Sequence, residues 1–258
     1  MILTMDIGNT NTKTALFEGM EMQQYWRIST DRSRSSDELG ILLMNLLSYN
    51  HVDPGSIEGI MMSSVVPSVN FTIEHMCRSY FGMAPIIVAP GVKTGINIKI
   101  ENPREMGGDL ISNAVAAYEL YGGPCITIDF GTATSLGAIN EKGEFLGGAI
   151  CPGIKLAVEA LSERTAKLPR IELTKPETVI GKNTVHCMQS GIVYGYIGQI
   201  EYLVRRMKAE IGSDKTKVIA TGGLAVLVAE ESNAIDVLDG LLTLKGLRLI
   251  YEKNRPEA

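Results

Sequence analysis

Met5-Asp6-Ile7-Gly8-Asn9-Thr10-Asn11-Thr12-Lys13 decides the reading of this chain, because it returns in degraded form as Ile128-Asp129-Phe130-Gly131-Thr132-Ala133-Thr134. Aspartate falls on aspartate and glycine on glycine, 123 residues apart. Each copy follows a short apolar or β-branched run, Ile2-Leu3-Thr4 and Ile126-Thr127-Ile128, and leads into another. The pattern is a strand, a tight glycine turn and a second strand, made twice. A carboxylate at a strand end, followed by Gly and Thr, suits a magnesium–phosphate complex. The acid holds the metal or its waters, and the turn lets backbone N–H groups approach phosphate oxygens. Two such turns facing each other across a cleft would grip a nucleotide from both sides.

Working outward, residues 1–29 read as a meander of strands at Ile2–Asp6, Thr12–Phe17 and Gln23–Ile28. Ser35-Ser36-Asp37-Glu38 caps a helix with an apolar stripe of Leu39, Leu42, Leu43, Leu46 and Leu47. A strand over Ile57–Val65, a helix from Pro67 and a strand at Ile86–Val88 follow. The stretch from Ala89 to Gly108 loses periodicity and is expected to be a functional loop. A helix then runs from Asp109 to about Leu120. Strands at Cys125–Asp129, Ala138–Ile139 and Phe145–Ile150 repeat the meander, and a helix starts near Ile154. One long helix covers 186–211, a strand at Val218–Ala220 ends in Thr221-Gly222-Gly223, and a terminal helix covers Leu241–Glu252. Alternating strands and helices predict an α/β fold. With 258 residues there is room for two domains, here placed at 1–115 and 116–258. Gly191, Gly195 and Gly198 share one face of the long helix, where either tight packing within the chain or a subunit interface would use them.

A net charge of −5 and the lack of a long Lys/Arg block argue against nucleic acid as a partner. The cluster Arg27…Asp31-Arg32-Ser33-Arg34 reads as a solvated loop. No apolar stretch reaches the roughly 18–20 residues that span a bilayer, so no membrane is expected. The N-terminus lacks the pattern of a signal peptide, and a cytoplasmic location is expected. Cys77, Cys125, Cys151 and Cys187 have no C-x-x-C spacing, and three scattered histidines have no metal-ligand spacing. The chain has neither G-x-x-x-x-G-K-[ST] nor G-x-G-x-x-G, which weakens P-loop and Rossmann readings.

Three glycine turns, each after a strand, point to a bound nucleotide and to phosphoryl transfer. Lys13 lies in the strand beyond the first turn and would reach a phosphate as a point charge. Asp109 follows Gly107-Gly108 and opens a helix. A first-turn acid is commonly structural; as a general base it would take the proton of an attacking hydroxyl, and phosphoryl transfer tolerates a weak base because positioning and charge neutralisation dominate. Thr184, before the long helix, reads as its N-cap.

At these residues the chain resembles the type III pantothenate kinases, a family within the superfamily of actin, sugar kinases and Hsp70. The resemblance runs over essentially the whole length. It rests on Asp6 to Asn11, Lys93-Thr94-Gly95, Asn102-Pro103-Arg104-Glu105, Gly107-x-Asp109 and Asp129 to Thr134. Pro152-Gly153, Asn183-Thr184-Val185, Gln189-Ser190-Gly191 and Thr221-Gly222-Gly223-Leu224-Ala225 complete it. It implies two ribonuclease-H-like domains with an interdomain ATP cleft, a homodimer, and ATP-dependent phosphorylation of pantothenate at its primary hydroxyl, towards coenzyme A. Carried over by position, Asp6, Ile7, Gly8, Asn9, Thr10, Asn11, Thr12 and Lys13 form the first phosphate loop and Thr132 contacts ATP. Asp109 becomes the proton acceptor. Asp129 would bind a monovalent cation, K⁺ or NH₄⁺. Gly107, Gly108, Asp109, Leu110 and Thr184 would line the pantothenate site, and Mg²⁺ would accompany ATP. The family usually reads Gly-Ala-Asp-Arg where this chain has Gly107-Gly108-Asp109-Leu110, and often has a tyrosine where this chain has Ile100. Two other readings stay open: a kinase for another small hydroxylated acceptor, and a non-catalytic nucleotide-binding regulator.

Overall fold

The computed structural model describes residues 1–255 and divides the chain into two compact units. The first comprises 1–96, 101–116 and the chain from Leu241 onward, and the second comprises 97–100 and 117–240.

In the first unit β1 (Ile2–Ile7), β2 (Asn11–Glu18) and β3 (Glu21–Ser29) form the expected meander. Helix α1 (Ser36–Tyr49) crosses to β4 (Gly59–Ser64), and α2 (Pro67–Phe81) crosses to β5 (Ile86–Ile87). The sheet order is β3-β2-β1-β4-β5, with β1 antiparallel to β2 and parallel to β4. A capping box starts α1: the Glu38 N–H donates to Ser35 Oγ at 3.2 Å, and the Ser35 N–H donates to Glu38 Oε2 at 2.8 Å. Alternation in β1 sends Leu3, Met5 and Ile7 into a core with Leu39, Leu43 and Leu47 of α1 and Val69, Ile73 and Met76 of α2. Thr4 and Asp6 therefore point to the other face.

The second unit repeats this plan. It holds β6 (Asn97–Ile98), β7 (Cys125–Phe130), β8 (Ala133–Ile139), β9 (Glu144–Pro152), β10 (Lys217–Gly222) and β11 (Val237–Leu238), in the order β11-β10-β7-β8-β9-β6. Apart from the added β6, this is the first order reproduced. Helix α3 (Gly108–Tyr121) contains the division, between Ala116 and Ala117. Helices α4 (Ile154–Glu163), α5 (Thr184–Ile211) and the short α6 (Ala225–Ala229) follow. Ile126, Ile128 and Phe130 of β7 form the second core with Ile154 of α4, and with Val193, Ile197 and Ile200 of α5.

The expected division into 1–115 and 116–258 differs from the structure at the C-terminal end. Helix α7 (Leu242–Asn254) belongs to the first unit, where it packs against β1, β4 and β2. It buries Leu242, Leu244, Leu247 and Ile250, and Tyr251 Oη donates to Glu58 O at 3.5 Å. Long apolar side chains on one face need a sheet to cover, and α7 packs on the first sheet while α1 and α2 fill the core on the Leu3–Ile7 face. The stretch 89–108 is also less irregular than its composition predicts, since it contains β6 and a 3₁₀ turn at Pro103–Glu105. Within the chain, nothing lies within 4 Å of where a Cβ would stand at Gly191, Gly195 or Gly198. Their spacing is therefore not explained by tight packing among the described residues.

Arg248 of α7 is 5% exposed, and its Nε and Nη1 have no hydrogen-bond partner. It is ion-paired to Glu252 one turn on. The cost of desolvating a guanidinium outweighs one half-exposed ion pair. Arg248→Met is expected to leave the free energy of unfolding in urea unchanged or higher. Glu252→Ala, which strands the guanidinium, lowers it by about 2 kcal/mol.

Candidate active site

Register brings the first polar group together. In the first sheet Ser63 of β4, Asp6 of β1, Lys13 of β2 and Arg27 of β3 are cross-strand neighbours in one row. Direct partners point to the same face, so the row crosses four strands as hydroxyl, carboxylate, ammonium and guanidinium. It lies at the carboxyl ends of β1 and β4, the edge where open α/β sheets bind ligands. Asp6 is 8% exposed; Ser63 Oγ donates to its Oδ1 at 2.8 Å and Lys13 Nζ lies 3.7 Å from its Oδ2. Lys13 therefore faces the Asp6 carboxylate and is only partly buried.

Beyond Asp6 the chain reverses through Gly8-Asn9-Thr10-Asn11, with the Gly8 N–H donating to Asn11 O at 3.0 Å. Asn9 and Thr10 are exposed at the tip, while Ile7 and Thr12 are buried beneath it. The catalytic candidate comes to the same place from α3. Gly108 is buried, and a Cβ there would stand 3.1 Å from Ser63 Cβ and 3.2 Å from Val88 Cβ. The first turn of α3 therefore packs directly against the row, closely enough that a methyl group at 108 would need its neighbours to yield by a few tenths of an ångström. Asp109 is half-buried, and its Oδ1 accepts the Leu110 N–H at 2.8 Å. The first unit thus brings together Asp6–Lys13 and Gly107–Leu110.

The second unit builds the same row with different chemistry. Asp129 of β7 is flanked in register by Thr221 of β10 and Ser135 of β8, and Ser135 by Ile150 of β9. Where the first row has two cations, the second has a hydroxyl and an apolar residue. Thr221 Oγ1 is buried without a hydrogen-bond partner. A carboxylate beside an unsatisfied hydroxyl is a hard-oxygen donor set for a cation rather than for a phosphate. The turn itself is exposed at Gly131 and Thr132, and Thr132 O accepts the Gly153 N–H at 3.1 Å, at the start of α4. Behind it Tyr196 hydrogen-bonds Thr134, and burial pushes its phenol pKa up. Thr184 opens α5 and is exposed. The N-cap is Asn183, not Thr184: Asn183 Oδ1 accepts the His186 N–H at 2.9 Å. Among the described residues no hydrogen bond joins Thr184 to the Asp129 turn.

Three residues of these sites were not singled out from sequence. Ser63 lies inside the strand that the sequence predicts over Ile57–Val65, and Arg27 and Arg32 in the charge cluster that reads as a solvated loop. Arg27 stands in the first row, and Arg32 Nη2 donates to Asn9 Oδ1 at 3.1 Å. The thiols of Cys77 and Cys125 are pushed up to about 12 by burial, which leaves them unreactive at neutral pH.

The family model for type III pantothenate kinase matches residues 2–206. The chain belongs to the type III pantothenate kinase family. A type III pantothenate kinase of Bacillus cytotoxicus is 55% identical over 254 residues, which cover 98% of this chain and 97% of that one. Like its family, the chain is an ATP-dependent pantothenate kinase, a phosphotransferase with an alcohol as acceptor. Solved structures share the fold at low identity. A candidate Baf-family transcriptional activator from Campylobacter jejuni superposes with a TM-score of 0.59 at 18% identity, covering 98% of each chain. The activator of 2-hydroxyisocaproyl-CoA dehydratase from Clostridium difficile, solved with ADPNP, gives 0.55 at 15% identity, covering 100% of this chain and 99% of that one. At such identities the likeness carries the fold alone, two α/β units each built on a mixed sheet.

Proposed function

We propose that Asp109 accepts the proton of the pantothenate primary hydroxyl while the Asp6–Lys13 turn holds the ATP phosphates. The observation that carries this reading is the close approach of Gly108 to Ser63, which sets the first turn of α3 beside the hydroxyl that donates to Asp6. Asp109, in the first turn of α3, supplies the carboxylate that takes the proton. Lys13, with Arg27 next in the row, offsets charge on the transferring phosphoryl group. Gly107, Gly108 and Leu110 line the acceptor side, and Thr184 is assigned to it from the family. Leucine at 110 offers no charged fork, so acceptor binding there rests on shape and on Asp109. The product, 4'-phosphopantothenate, leads to coenzyme A.

Among the described residues no group of three or more His, Cys, Asp or Glu is placed to hold a metal. Mg²⁺ would come with the nucleotide, whose phosphates supply most of its ligands, and Asp6 is the carboxylate that would hold it or its waters. Thr132 is assigned to ATP, and Asp129 with Thr221 to K⁺ or NH₄⁺, whose charge would offset that of the phosphates. The protein acts as a homodimer: Gly191, Gly195 and Gly198 form an exposed stripe on α5, with half-exposed Tyr202 continuing it. Four free cysteines fit a cytoplasmic location.

The test is ADP release from Mg-ATP on adding pantothenate, in K⁺ and again in Na⁺. Turnover in K⁺ that falls at least tenfold in Na⁺ is the expected result. Equal rates in both salts would remove the cation from Asp129.

A further inference from the structure

The segment that follows β3 is tied to the first turn at three points. The Thr30 N–H donates to Thr10 O at 3.1 Å, the Thr30 and Thr12 hydroxyls are 2.9 Å apart, and Arg32 Nη2 donates to Asn9 Oδ1 at 3.1 Å. The neighbouring anion does not compete for the guanidinium. Ser33 occupies Asp31 Oδ1 with both its hydroxyl, at 2.6 Å, and its N–H, at 2.9 Å.

A hairpin tip exposed to solvent is the least constrained part of a β-meander. A phosphate-binding turn works best when its N–H groups are already in place, since ordering them on binding costs affinity. We propose that Arg32 is a positioning residue for ATP: through Asn9 it fixes the tip of the first turn, with Thr30 as the anchor behind it. The guanidinium suits this role because its planar fork loses little freedom when it makes one directed bond, and its charge lies beside the phosphate turn at the same time. The inference rests on Asp6–Lys13 being the phosphate turn, and its test separates the two.

The kinetics of Arg32→Ala, Arg32→Lys, Asn9→Ala and the Asn9→Ala/Arg32→Ala double variant decide the matter. The KM for ATP is expected to rise about fivefold in each single alanine variant. In the double variant it rises no further than in the worse single, because both remove one interaction. Arg32→Lys recovers part of the loss, and the KM for pantothenate stays within about twofold. An unchanged ATP KM in Arg32→Ala, with a raised one in Asn9→Ala, overturns the role of Arg32 alone. Effects that multiply in the double variant show that Arg32 does not act through Asn9, and overturn it equally. An unchanged ATP KM in both Asn9→Ala and Arg32→Ala overturns the positioning role of Arg32, and only an ATP KM that is also unchanged in Lys13→Ala overturns the phosphate turn itself. Both residues are exposed, so thermal unfolding midpoints should hold; Arg32→Lys carries the test if an alanine variant does not fold.

Discussion

Asp109→Asn is expected to lower kcat by about a thousandfold while ATP binding, read by calorimetry, changes less than about twofold. The substitution is nearly isosteric, and the amide oxygen can still accept the Leu110 N–H that Asp109 Oδ1 accepts at 2.8 Å. The first turn of α3, and with it the approach of Gly108 to Ser63, is therefore preserved. What is lost is the negative charge and the ability to take a proton. Both are used only when the acceptor hydroxyl attacks, so the loss falls on kcat and not on ATP affinity. Phosphoryl transfer through a loose transition state tolerates a base as weak as a carboxylate, so a thousandfold loss is within what removing one costs. A fall of only tenfold would mean that Asp109 orients the hydroxyl without accepting its proton. A variant with full activity would remove it from the mechanism. Weakened ATP binding would instead place Asp109 among the groups that hold the nucleotide.

The two Asp-Gly turns were legible because a strand–turn–strand unit is written in local sequence. Its alternation, its glycine and its flanking threonines all lie within a dozen residues. The repeat then carried the fold, and the second sheet does reproduce the order of the first. Ser63 was not legible, since it meets Asp6 across 57 residues of chain through a parallel crossover whose register no local pattern sets. Arg32 does lie in an exposed turn, as its charge run predicts, but its contact is hidden for a related reason. A charge run beside a capping box looks like solvated loop, and only the return of β3 along β2 brings it to Asn9. The allegiance of α7 depends on which sheet lacks cover, which is a property of the assembled unit. Asn183 and Thr184 are both good N-caps, and a shift of one residue in the helix start decides between them.

Gly153→Ala is expected to weaken ATP binding about a hundredfold with little loss of global stability. A Cβ at position 153 would stand 2.3 Å from Thr132 O and 2.7 Å from Gly131 O. Both are backbone atoms of the second turn, so no side-chain rotation relieves the contact. Either the turn or the start of α4 must move by the order of 1 Å, and the Gly153 N–H bond to Thr132 O, now 3.1 Å, breaks. Displacements of that size in groups that position a substrate cost about a hundredfold. The fold should survive, because the exposed Gly131–Thr132 turn can yield while Ile154, next to Gly153, keeps its place in the β7 core. Calorimetric titration of ATP and a thermal melt on the same variant separate the two effects. Lost binding with an intact melt would tie the Pro152-Gly153 motif to the nucleotide. Intact binding would show that the second turn either accommodates the methyl group or does not serve ATP. A binding defect absent from Gly153→Ala but present in Thr132→Ala would favour the first of these, since it would leave the turn in use.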